Sequence, residues 1–173
     1  MAGGRWDAGQ GPAGGDLIGP NPTDRGQPGT KKSVLVEATG GPLVSVVAGA
    51  NVHDPTLLAA TLDAVIVPRP LPTPEEPRHL CLDKAYDKPT GEAAVLAHGS
   101  TPHRRRIGEE RIATEQRTSP PRRWVVERTR AWLSKCRAIL VRYDKRAANY
   151  RALLTYACVL LWYRRYHRLA VLR

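Results

Sequence analysis

The chain has 173 residues, an apolar share of 42% and a formal net charge of +11, enough for one domain with a core. The charge is lopsided: residues 101–173 hold 19 Lys and Arg against 5 Asp and Glu, whereas residues 1–100 hold 8 against 11. Cys81, Cys136 and Cys158 are odd in number and lack CxxC spacing, which excludes a disulfide framework or zinc knuckle and suits a reducing, cytoplasmic setting.

A basic half points to a polyanion, with nucleic acid ahead of a membrane surface or a merely solvated face. The five histidines are scattered without a HxxxH pair and read as structural or surface residues. Met1–Gly15 lacks the apolar segment of a secretory signal. Ala152–Tyr163 is too short an apolar run to span a bilayer, so no membrane partner is expected.

Residues 1–29, rich in Gly and Pro, read as a disordered or extended lead-in. Ser33–Val36 and Leu43–Val47, separated by the turn Gly40-Gly41-Pro42, read as an antiparallel hairpin. Asp54 reads as an N-cap with Pro55 in the first turn of a helix reaching about Val67. Five prolines make residues 68–77 a loop. His79–Asp83 reads as a buried strand that ends in an acid. Asp83 then stands at a C-terminal strand edge, where α/β sheets gather their sites; a turn or capping aspartate is the plain alternative. A short helix capped by Thr90 ends near His98, and a strand is expected near residues 103–107 beside the Arg104-Arg105-Arg106 cluster.

From Arg123 the reading is helical to Tyr166, with a break near Asp144 or Asn149. Val125, Trp132, Cys136, Ile139 and Tyr143 mark the packed stripe, and Arg123, Glu127, Arg130 and Ser134 share the opposite face. Glu127 is a lone carboxylate among cations there, or simply an exposed glutamate paired with its neighbours. The segment Trp162–Arg168 interleaves aromatics with cations. It suits nucleic acid, or a helix C-terminus that favours positive charge.

An aspartate at a strand end and a glutamate on a later helix are hard oxygen ligands that can share Mg²⁺ for phosphodiester chemistry. Four ordered blocks carry a resemblance over residues 14–168. They are residues 19–26 (GPNPTDRG) with Gly29-Thr30-Lys31, residues 48–54 (AGANVHD), residues 82–87 (LDKAYD), and residues 123–129 (RWVVERT) with Trp132-Leu133. In these the chain resembles the DDE transposases of the bacterial IS5/IS4-like insertion sequences. The resemblance implies a ribonuclease-H-like α/β fold, a mixed sheet flanked by helices, with residues 30–173 as its catalytic domain. It implies Asp83 and Glu127 as catalytic metal ligands, Mg²⁺ or Mn²⁺ as cofactor, and Arg123, Arg128 and Lys135 as DNA contacts. Its implied partners are transposon ends and target DNA, and a second copy of the chain when intact.

The family's first aspartate, aligned on Gly14-Gly15, falls near Arg5 rather than on an acid; Asp7 is close but out of register. Residues 5–10 have no strand pattern, so the sheet's first strand is expected to be missing. The resulting expectation is a truncated copy that binds DNA with little or no catalysis. A non-catalytic DNA-binding fragment or inhibitor, and a general metal-dependent nuclease, are the alternatives.

Overall fold

A computed structural model describes residues 7–10, 14–82, 89–103 and 123–171. Among these residues lie six strands, β1 (Asp7–Gln10), β2 (Gly19–Pro20), β3 (Pro28–Val36), β4 (Pro42–Gly49), β5 (His79–Cys81) and β6 (Thr101–His103). Among them too are five helices, α1 (Asp54–Asp63), α2 (Pro89–Ala97), α3 (Arg123–Ser134), α4 (Arg137–Leu140) and α5 (Ala147–Val171).

β3 is the spine. Its alternation sends Val34 and Val36 to one face and Leu35 to the other, as a strand buried on both faces requires. Val34 and Val36 join Val125, Val126, Leu133, Ile139, Tyr150 and Leu154 beneath α3, α4 and α5. Leu35 joins Leu58, Leu62, Leu80 and Val95 beneath α1, α2 and β5. The polar residues of β3 obey the same period. The Ser33 hydroxyl lies 2.6 Å from that of Thr61 on α1. Lys32, on the alternate face, donates to the Ile139 carbonyl at 3.0 Å.

The expected hairpin is present, with β3 and β4 antiparallel from Thr30↔Gly49 to Val36↔Pro42. Its turn is fastened by the Glu37 carboxylate, which accepts from the amides of Thr39 (2.7 Å) and Gly41 (2.8 Å). β3 starts earlier than Ser33, because Gly29–Lys32 find partners on both edges. Gly29 pairs with Gln10 and with Gly19, and Thr30 pairs with Gly9 and with Gly49. β1 therefore runs along one edge, and β4 followed by β2 along the other.

This corrects two expectations. The strand thought missing is present as β1, paired antiparallel with β3 from Asp7↔Lys32 to Gln10↔Gly29. Residues 14–29 are turns and a strand that feed β3, rather than a loose lead-in. Asp-Ala-Gly-Gln has weak strand propensity, and the unfilled edge of a nine-residue strand supplies what propensity does not.

Other boundaries shift for local reasons. α1 ends at Asp63 rather than Val67. Its N-cap is His53, because the Asp54 carboxylate is drawn instead to the Lys31 ammonium at 2.6 Å. β5 ends at Cys81, and it pairs in parallel with β6, which occupies residues 101–103. Residues 104–122, where that strand was expected to continue, lie outside the described residues. The long helix breaks after Ser134 and again after Leu140. Tyr143, assigned to the packed stripe, is 74% exposed; Val126 and Leu133 take the core positions instead.

Candidate functional site

α3 is anchored by Val125, Val126, Thr129 and Leu133, all buried against the sheet. Their spacing is one helix face. The Thr129 hydroxyl also donates to the Gly40 carbonyl at 2.6 Å, tying the helix to the β3–β4 turn.

Glu127 lies at the margin of this packed face, its side chain 36% exposed. Arg130 Nη1 donates to its Oε2 at 3.2 Å, and the Arg130 side chain is only 15% exposed. Arg130 and Ser134 line a cavity of about 10 Å³ with Lys32, Val34 and Leu133. The face expected to be open and basic therefore overlooks β3. This is a correction with a packing cause, since two adjacent valines in α3 rotate the stripe toward it. Lys32 is then the common neighbour. It lines the cavity beside the ion-pair partner of Glu127, and on β3 it is the register partner of Asp7 in β1.

The other expected site residues land as follows. Asp83 lies outside the described residues, two positions past the end of β5, whose Leu80 is fully buried. Arg123 opens α3, but its side chain lies outside the described set. Arg128 is turned toward the hairpin: it donates to the Thr39 carbonyl and stacks 4.7 Å from the Trp124 ring centre. Lys135 is exposed, with its ammonium 5.3 Å from the Trp132 ring centre.

Two features escaped the sequence reading. Arg142, only 2% exposed, donates to Thr30 Oγ1 (2.8 Å) and to the carbonyls of Asp144 (2.8 Å) and Lys145 (3.0 Å). It thereby fastens the α4–α5 linker to β3 without any carboxylate. Arg165 holds the β3–β4 turn through Glu37 at 3.2 Å and through the Thr39 carbonyl at 3.1 Å. Trp162 Nε1 adds a bond to the Pro42 carbonyl at 2.7 Å. The sequence signal for Arg142 was a charged residue within an otherwise packed stretch, and it reads identically to a surface arginine.

Burial pushes the pKa of Glu37 up, but the hydrogen bonds from Thr39 and Gly41 and the charge of Arg165 outweigh it, leaving the pKa below its ordinary value. Burial, helped by nearby Cys136, pushes the Cys158 thiol up to about 11.

The first two motif blocks form a structural clasp. Asn21 Oδ1 accepts from the Thr23 amide (3.2 Å) and hydroxyl (2.9 Å), closing an Asx turn. A Cβ on Gly19 would fall 1.8 Å from Asn51 Oδ1, so glycine there makes room for the second block against the first.

Hard carboxylate oxygens are the donors that Mg²⁺ or Mn²⁺ takes; of those on Glu127, Oε1 is buried and Oε2 accepts from Arg130. Among the described residues no group of three His, Cys, Asp or Glu side chains converges. Among them, too, no helix is long and apolar enough to cross a membrane.

Residues 8–162 match the family described as Transposase DDE domain. Over 147 residues the chain is 38% identical to a Burkholderia cepacia protein named as a transposase for insertion sequence element IS402. The match covers 83% of this chain and 67% of that protein. No solved structure matches the chain.

Proposed function

The chain belongs to the DDE-domain transposase family of insertion sequences, and we propose that it cuts and joins DNA at insertion-sequence ends by metal-dependent phosphoryl transfer. The acids assigned to this are Glu127 on α3, Asp83 beyond β5 and Asp7 on β1. What carries the proposal is Lys32. One β3 residue adjoins Asp7 within the sheet and lies beside the ion-pair partner of Glu127 above it. Strand order supports a ribonuclease-H-like arrangement, with β1, β3 and β4 antiparallel and β5 and β6 a parallel pair.

In this reading Asp7, Asp83 and Glu127 would hold the divalent ion, Mg²⁺ or Mn²⁺, which supplies Lewis-acid activation at the phosphodiester when bound. Arg130 orients the Glu127 carboxylate through Oε2. Arg123, Arg128 and Lys135 meet DNA phosphates, with Arg128 leaving the Thr39 carbonyl or sharing it. The pairing of β1 with β3 supports including Asp7 in this set in place of the incomplete site expected from the resemblance.

The test is nicking of supercoiled plasmid with Mg²⁺ or Mn²⁺ by the unaltered chain and by Asp7→Asn, Asp83→Asn and Glu127→Gln. Each substitution is expected to lower nicking by at least about 100-fold while leaving salt-dependent DNA binding in place. Nicking that survives Asp7→Asn would remove β1 from the site. DNA binding without nicking by the unaltered chain would favour the non-catalytic reading.

A further inference from the structure

The C-terminal part of α5 and the middle of α3 enclose a groove most of whose lining, Arg128 apart, has no role in the proposed chemistry. A cavity of about 310 Å³ is lined by Arg128, Trp132, Arg164, Arg165 and Arg168, with Gly40 of the β3–β4 turn at one end. A second cavity of about 470 Å³, sharing Trp132, Arg164 and Arg168, continues it past Tyr163 and His167. Four guanidinium groups thus face one trough. Among the described residues the carboxylate paired with them is Glu37, which Arg165 engages at 3.2 Å.

We propose that this groove is a docking site for DNA backbone phosphates, separate from the carboxylate site, with Arg164 and Arg168 as its principal contacts. The proposal rests on the reading that the chain acts on DNA. Three observations carry it. Arg128 and Arg165 are bound to the Thr39 carbonyl and so build the wall, whereas Arg164 and Arg168 are exposed along the rim. Arg164 is held 5.0 Å from the Trp132 ring centre, so its planar fork loses less rotamer freedom when it meets a phosphate. Arg164 and Arg168 lie one helical turn apart, about 6 Å along α5, or roughly two steps of about 3.4 Å along a duplex strand.

The groove also lies close to the proposed chemistry. Arg128 and Trp132 follow Glu127 on the same helix, and Trp132 is about 7.5 Å further along it. A duplex whose scissile phosphate sits at Glu127 can therefore rest its flanking backbone in the groove.

The experiment measures binding of a fluorescein-labelled 30-base-pair duplex by anisotropy, from about 50 to 300 mM salt. It compares the full chain with Arg164→Gln/Arg168→Gln, Arg164→Lys/Arg168→Lys and Arg146→Gln/Arg151→Gln. The last pair removes the same charge from exposed positions near the other end of α5. Loss of two phosphate contacts is expected to reduce the slope of log K against log salt by about 1.8 in the first variant, with a roughly 10- to 100-fold loss of affinity at 100 mM salt. The lysine pair should keep most of the slope, and the control pair should change it little.

An unchanged slope in Arg164→Gln/Arg168→Gln, with binding by the unaltered chain intact, would overturn the groove while sparing the family reading. An equal fall in the control pair would also overturn it, by showing that net charge alone is responsible. Absence of salt-dependent binding by the unaltered chain would refute both. Because both arginines are exposed, a thermal melt of each variant should match the unaltered chain.

Discussion

Arg142→Met removes the guanidinium that joins the α4–α5 linker to the start of β3. Three good hydrogen bonds are lost, to Thr30 Oγ1, Asp144 O and Lys145 O, with a longer one of 3.4 Å to Leu17 O. A hydrogen bond to a charged group contributes about 1.5–3 kcal/mol net, and bonds made by one buried guanidinium do not add in full. Methionine keeps the apolar stem against Tyr150 but leaves two carbonyls with water as the only substitute. The expected loss is about 3 kcal/mol, of the order measured when a buried charged network loses one member. With a urea m-value near 2 kcal/mol/M, the unfolding midpoint should fall by about 1.5 M at unchanged m. Arg142→Lys should recover less than half of this, since one ammonium cannot fork to acceptors on β3 and the linker together. A midpoint shift below about 0.3 M for Arg142→Met would refute the argument, because it would mean that the carbonyls are satisfied without the guanidinium.

The β3–β4 turn gives a contrasted pair. Gly40 has φ +96°, and a Cβ there would lie 3.0 Å from Arg128 Nη2, so Gly40→Ala should cost about 1–3 kcal/mol in urea unfolding. Gly41→Ala puts its Cβ 2.3 Å from the Trp162 ring, so it should also shift tryptophan fluorescence as the Trp162 bond to Pro42 breaks. Glu37 has a folded-state pKa below its ordinary value near 4.5, so its stabilising share is complete above that value and is lost as pH falls through the folded one. The stability difference between the chain and Glu37→Gln should therefore shrink steadily on acidification below about pH 4.5; a constant difference would contradict it. Cys158, with a thiol constant near 11, is about 0.1% thiolate at pH 8. Its alkylation by iodoacetamide, followed by mass spectrometry, should be at least about 100-fold slower in the folded chain than in urea.

The hairpin and the α1 stripe were legible because each is written in local hydrophobic period: Val34, Leu35 and Val36 alternate, and Leu57, Leu58, Thr61 and Leu62 share a helix face. The helix of α5 was legible as an apolar run, and α2 from turn residues, although it starts at Pro89 and so takes in Thr90, which was read as its cap. β1 was not legible. Asp7-Ala8-Gly9-Gln10 carries no alternation, and its strand state is conferred by Gly29–Lys32, which lie about twenty residues downstream. The rotation of α3 failed for a different reason. Val125 and Val126 are adjacent, so two stripes fit the sequence equally well, and only the position of β3 selects between them. Glu127 was found by resemblance, but its ion pair with Arg130 over Lys32 belongs to that rotation. Asp83 remains an expectation from the resemblance and a part of the proposal.

Net charge misleads here unless the cations are sorted by what they touch. A guanidinium has five donors and can end several carbonyls at once, which makes it as useful inside a fold as on a phosphate. Arg142 is spent on Thr30 and the linker, and Arg128 and Arg165 on the β3–β4 turn. Those ties have a consequence for the acid site. The Thr129 bond to Gly40 and the Arg128 bond to Thr39 fix α3 against the hairpin, and Thr129 stands two residues from Glu127. The position of Glu127 is therefore set through the turn at the far end of β3, while β1 takes its register from Gly29 to Lys32 in the first half of the same strand. One strand thus carries both ties, although the segments it holds are more than a hundred positions apart in sequence.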